Sequence, residues 1–195
     1  IGRFEQAKSF NNFEDYKTVD HAELGIDILF NKKLIRNFIT ENKYDDIIYK
    51  AILNHNKYEI EEGLSNQELL HSKIIRDADK LDNFRVKQFE SIEVLCNVKE
   101  KDMGKENITE KIYNDFMNCK TIVVSERKTP MDHWVSYIAF VFDLNFIASY
   151  KYVKEKDYIQ KLVNRIEYTN IDTKMKMEKI KKCAMDYIDT KINNK

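Results

Sequence analysis

Pro130 is the sole proline of this sequence, and there are only four glycines in its 195 residues. The residues that break regular backbone are therefore scarce. Apolar side chains recur at a spacing near 3.6 residues through almost the whole chain, which predicts an all-α fold. The one β-like run is TIVV at residues 121–124. No internal repeat or low-complexity tract interrupts the pattern.

Lys plus Arg equals Asp plus Glu, at 33 each. No net field favours nucleic acid, a membrane surface or a strongly acidic partner. Cys96, Cys119 and Cys183 stand far apart with no C-x-x-C spacing, which argues against a zinc knuckle or a disulfide framework and for a reduced, cytoplasmic setting. No targeting segment is evident. The longest apolar run, residues 134–150, includes Asp143 and Asn145 and reads as a buried helix rather than a membrane span. Homo-oligomerisation is compatible with all of this.

Three early helices carry the candidate chemistry. Ala22, Ile26, Leu29 and Phe30 form a stripe on a helix opened by Thr18 or Asp20, with His21 in its first turn. Gly25, four residues on, would let another group approach closely. A second helix from about Asp45 places Ile48, Ala51, Ile52 and His55 on one inward face. After a loop at residues 57–67, a third helix puts Leu70, Ile74, Ile75, Ala78, Leu81, Phe84 and Val86 on one arc expected to face the core. His71, Asp77, Asp82 and Arg85 fall inside that arc, Asp79 lies at its edge, and Arg76, Lys80, Asn83 and Lys87 take the opposite face.

Carboxylates on a buried arc need a cation, a set of donors or a proton. Arg76, Lys80 and Arg85 would supply structural ion pairs. Alternatively, the acids with inward-facing His21 and His55 would hold a metal. No H-E-x-x-H pair is present, so zinc-protease chemistry gains no support.

IGRFEQ at residues 1–6, DHAELG at 20–25, ILNHNK at 52–57 and IRDADKLD at 75–82 resemble, in that order, the motifs of HD-domain metal-dependent phosphohydrolases. The resemblance spans roughly residues 1–90. It implies an HD-like helical fold with a C-terminal helical extension, and a divalent metal site (Mn, Mg, Fe, Co or Ni, one or two ions). The family's last metal ligand falls on Asp79, and His21 and His55 occupy the places that serve a second metal or the substrate phosphate. His55-Asn56 stands where some relatives have two adjacent histidines. The first family histidine and the His-Asp dyad are expected immediately upstream of Ile1.

The chemistry so implied is hydrolysis of a small phosphate ester, such as a nucleotide, by a metal-activated water. Arg3 and Lys80 are the expected phosphate contacts. Asp77 is expected either as general base or, like Asp82, as support for the ligands. Two rival readings are a non-catalytic HD-like module that binds a nucleotide or protein, and a di-iron HD-type oxygenase. His71, His133 and the aromatics Tyr137, Phe140, Phe142 and Phe146 are expected to be structural. The polar passage at residues 99–107 suggests a soft boundary, with an HD-type core at 1–98 and a C-terminal helical region at 99–195. There, Thr129, Pro130 and Asp132 mark a helix start among four expected helices.

Overall fold

The structure, a computed structural model, describes residues 1–12 and 15–194. Among them the protein is all-α: eleven α-helices, joined by short 3-10 turns and loops, and no strand. No helix is long and apolar enough to cross a membrane. The chain forms two compact units, residues 1–76 and 77–195.

The first unit is built from α1 (Gly2–Phe10), α2 (His21–Ile26) and α3 (Asp45–Asn54), with the first half of α4 (Asn66–Val86). Asp20, one of two expected caps, opens α2 by accepting from the backbone N–H groups of Ala22 and Glu23. A π-turn at Asp27–Asn31 then brings Ile28 and Leu29 both into the core, which a uniform 3.6 period does not predict. The close approach expected at Gly25 is made by Gly2. A Cβ on Gly2 would overlap the His21 carbonyl oxygen and reach the Gly25 nitrogen at 2.7 Å, so α1 crosses the start of α2 backbone to backbone. This crossing sets Arg3 and Gln6 of α1 over His21.

Helix α4 departs in part from its expected orientation: Asp77 and Phe84 of the expected arc are buried, but so are Arg76 and Lys80 of the expected polar face. Its buried residues are Ser72, Arg76, Asp77, Lys80 and Phe84, whereas Leu70 and Ile74 of the expected core arc are 40% and 46% exposed. Specific partners, rather than hydrophobicity, decide which face turns inward. In the first unit, the Arg76 guanidinium donates to the carbonyls of Asn54, Lys57 and Tyr58 at 3.0, 2.6 and 2.7 Å. It thereby satisfies acceptors at the end of α3 and fixes the segment that carries His55.

The second unit gathers the rest of α4 with α5 (Ile92–Cys96), α6 (Glu100–Met103), α7 (Glu110–Met117), α8 (Pro130–Ile138), α9 (Ile147–Glu155), α10 (Tyr158–Asn164) and α11 (Ile171–Asn193). Helix α11 packs against α7, α9 and α10. A continuous core runs from Phe84 to Ile188 around Trp134, Phe116, Met131 and Ile180. The expected aromatics Tyr137, Phe140 and Phe142 pack against it. The Thr129 cap is present as a full capping box with Asp132, and Pro130 opens the helix.

Two expectations change here. Residues 134–150 do not form one helix: α8 stops at Ile138, a 3-10 turn covers Ala139–Asp143, and α9 starts at Ile147. TIVV is not a strand but leads into a 3-10 turn at Val124–Glu126. The second compact unit begins at Asp77, where Asp77 and Lys80 are bound into it by the contacts described next.

Candidate metal centre

The acids of α4 have three different environments. Asp77 is buried, and its carboxylate accepts from the Asn145 backbone N–H (2.8 Å) and side-chain amide (2.9 Å), the Phe146 N–H (3.1 Å) and the Ser149 hydroxyl (2.6 Å). It thus ties down the entry to α9, whose own N-cap residue, Phe146, has no side-chain acceptor. With its lone pairs engaged and its side chain buried, Asp77 holds the start of α9 and is not placed to act as a general base. Asp82 is exposed and paired with Arg85 at 2.7 Å. Asp79 is half-buried, and among the described residues its carboxylate has no hydrogen-bond or ion-pair partner.

Lys80 is corrected as well. Expected on the polar face to meet a phosphate, it is 5% exposed, and its ammonium lies 2.9 Å from the Asp143 carboxylate. A buried, paired ammonium is not available to a substrate.

The first unit brings Arg3, His21 and His55 together. His21 Nε2 and His55 Nε2 are 2.9 Å apart, with the rings nearly perpendicular at 82°. His55 Nδ1 sits 2.6 Å from the Ile52 carbonyl oxygen, which only accepts, so this nitrogen carries hydrogen. His21 Nδ1 lies 2.7 Å from Asp15 Oδ2. Arg3 donates from Nη2 to His21 Nε2 at 3.3 Å, and a guanidinium has no acceptor, so His21 Nε2 presents a lone pair. With these tautomers the hydrogen-free Nε2 atoms of the two imidazoles stand side by side, with Arg3 also donating to that of His21. That arrangement calls for a cation, either a proton or a metal.

The spacing suits a metal. Two nitrogens at about 2.0–2.1 Å from one ion and at right angles to each other stand about 2.9 Å apart. Asn56 adds an oxygen: its amide nitrogen donates to Asp20 at 2.8 Å, while its Oδ1 is buried with no partner among the described residues.

Asp15 and Asp20 also lie close, with ligand atoms of Asp15, Asp20 and His21 all within 4.8 Å of one another. Their oxygens are already engaged. Asp15 Oδ1 accepts from Arg3 (2.8 Å) and Gln6 (3.0 Å) and Oδ2 from His21. Asp20 Oδ1 accepts from the α2 backbone and Asn56, and Oδ2 from Lys57 at 2.8 Å. Burial raises the Asp15 carboxyl, but hydrogen bonds from His21 and Gln6 and the Arg3 charge outweigh it and hold the group down at about 2. Burial likewise raises Asp20, and Lys57, Asn56 and the Ala22 N–H bring it below its ordinary value.

Asp15 and Gln6 were not among the residues singled out from sequence. Gln6 follows Arg3 by one helical turn, so its place beside that side chain was readable. Asp15 lies in a short 3-10 turn, where no periodicity points to it. His71 is exposed on α4. Comparison with family models, with curated proteins and with solved structures finds no match for this chain.

Proposed function

We propose that this chain belongs to an HD-type, metal-dependent phosphohydrolase acting on a small phosphorylated compound such as a nucleotide. The observation that carries the reading is the His21–His55 pair, whose Nε2 atoms stand 2.9 Å apart while each Nδ1 faces an acceptor, the Asp15 carboxylate or the Ile52 carbonyl. His21 and His55 would hold a divalent ion, and the motif resemblance adds Asp79. Of Mn, Mg, Fe, Co and Ni, two imidazole nitrogens favour the transition metals over Mg. Such an ion, when bound, lowers the pKa of a coordinated water and stabilises charge on the phosphoryl oxygens.

The chain's own residues divide the remaining work. Arg3, with a side chain 40% exposed and anchored through Asp15, places a positive charge beside the imidazoles, where it would attract a phosphate. Arg76 holds the backbone on either side of His55. Asp79 supports the reading because it is the one acid of its motif whose carboxylate is uncommitted among the described residues.

The test uses the full-length encoded protein, stripped of metal, reloaded with Mn²⁺ or Fe²⁺, and offered nucleoside mono-, di- and triphosphates. Metal-dependent phosphate release is expected, lost in His55→Ala and in Asp79→Ala and kept in Asp82→Ala. Absence of phosphate release with every ion, together with equal metal uptake by wild type and His55→Ala, would sink this reading in favour of a non-catalytic binding module. Iron uptake with oxygen consumption but no phosphate release would point to the oxygenase.

A further inference from the structure

An imidazole binds a cation only through a nitrogen that carries no hydrogen, so whatever fixes the tautomer decides whether a histidine is a ligand. For His55 the backbone does this, through the Ile52 carbonyl. For His21 the comparable group among the described residues is the Asp15 carboxylate, 2.7 Å from Nδ1. Asp15 is itself held from the other side by Arg3 and Gln6, so its second oxygen is turned to His21. Gln6 also donates to Thr18 Oγ1 at 2.7 Å and to the Val19 carbonyl at 2.9 Å, so the turn that carries Asp15 has an anchor apart from the carboxylate.

We propose that Asp15 is the positioning residue of this centre: by accepting the Nδ1 hydrogen of His21 it turns the His21 Nε2 lone pair toward His55, and so makes the pair a divalent-cation site. This rests on the metal reading above, and it assigns Asp15 a role outside the coordination sphere. An Asn at position 15 keeps the shape but not the function. Its amide hydrogens must face either the donors of Arg3 and Gln6 or Nδ1 of His21, and the second choice selects the opposite tautomer.

Two measurements on the full-length protein test this. In the metal-free form, histidine ¹⁵N spectra report which ring nitrogen carries hydrogen: wild-type His21 is expected to show a hydrogen-free Nε2, and Asp15→Asn a mixture. Titration with Mn²⁺ is then expected to give an affinity about 10- to 100-fold weaker in Asp15→Asn. The wild-type tautomer retained unchanged in Asp15→Asn would reduce Asp15 to a packing residue and overturn the proposal. So would Mn²⁺ affinities within twofold in wild type and Asp15→Asn, or a hydrogen on Nε2 of wild-type His21. If wild type takes up no Mn²⁺ while its His21 tautomer depends on Asp15, the metal reading alone fails.

Discussion

Both units bury polar side chains, but they differ in how completely those groups are satisfied. In residues 77–195, Asp77 accepts from the entry to α9, Lys80 meets Asp143, and Asp132 accepts from Thr109, Lys128 and Thr129. Each of these partner sets closes on itself around a large aromatic and aliphatic core. In residues 1–76 the apolar core is limited to side chains such as Ala22, Ile26, Leu29 and Ala51. Beside it, the Nε2 atoms of His21 and His55 stand 2.9 Å apart, and the Asn56 amide oxygen has no partner among the described residues. Closed networks rigidify a fold, whereas ring nitrogens brought together beside a buried amide oxygen are an arrangement that a ligand can use. The comparison teaches that charge buried in this chain has two uses, and that satisfaction, not burial, tells them apart.

The sharpest way to break that distinction is within α4. Removing Asp77 strands several donors at the start of α9, so Asp77→Ala should cost about 2–4 kcal/mol. Asp79→Ala, which removes no partner interaction, should stay within about 0.5 kcal/mol of wild type. Urea unfolding followed by fluorescence of Trp134, the sole tryptophan, measures both. Equal costs would mean that the uncommitted Asp79 carboxylate is structural after all.

That pair also shows how far the sequence could be read. The all-α class follows from the near absence of proline and glycine, and the Thr129–Asp132 capping box follows from residue types that satisfy helix-terminal donors locally. Local signals of this kind need no knowledge of the partner. The buried face of α4 could not be read this way, because Arg76 answers to carbonyls 18 to 22 residues away and Asp77 to donors 68 to 72 residues away. A helical wheel ranks faces by hydrophobicity, and these partners override that rank. Within the site, Arg3, His21 and His55 were legible through the motif resemblance and do come together, whereas Asp15 was hidden in a loop.

A smaller effect tests the crossing that builds the first unit. Gly2→Ala drives a Cβ into the His21 carbonyl and the Gly25 backbone, neither of which can yield without moving α1 from α2. The expected cost is roughly 1–3 kcal/mol, with weaker Mn²⁺ binding because His21 moves. Gly25→Ala meets only ordinary contacts, 3.5 Å and beyond, and replaces a helical glycine; it should be neutral or stabilising by up to about 1 kcal/mol. Thermal melts with and without Mn²⁺ separate the two. Similar behaviour of both variants would show that α1 adjusts freely and does not define the position of His21.

The smallest effect is in the pH dependence, and it again divides the units. In residues 1–76, Asp15 is held down at about 2, below its ordinary 3.8, so its contribution is intact above that ordinary value and is lost as pH falls toward 2. In residues 77–195, burial pushes the Cys96 thiol up from an ordinary 9.0 to about 12. A group raised by folding contributes stability that is complete below its unfolded value and disappears as pH rises through its folded one, so this loss falls between pH 9 and 12. Cys96→Val, close in volume, should change neutral-pH stability by less than about 1.5 kcal/mol. Between pH 8.5 and 11 the urea midpoint read by Trp134 should fall less steeply in the variant than in wild type, because one proton fewer is released on unfolding. An unchanged slope would mean that the Cys96 thiol is reached by water in the folded state, and that the core of the second unit is less closed than the comparison requires.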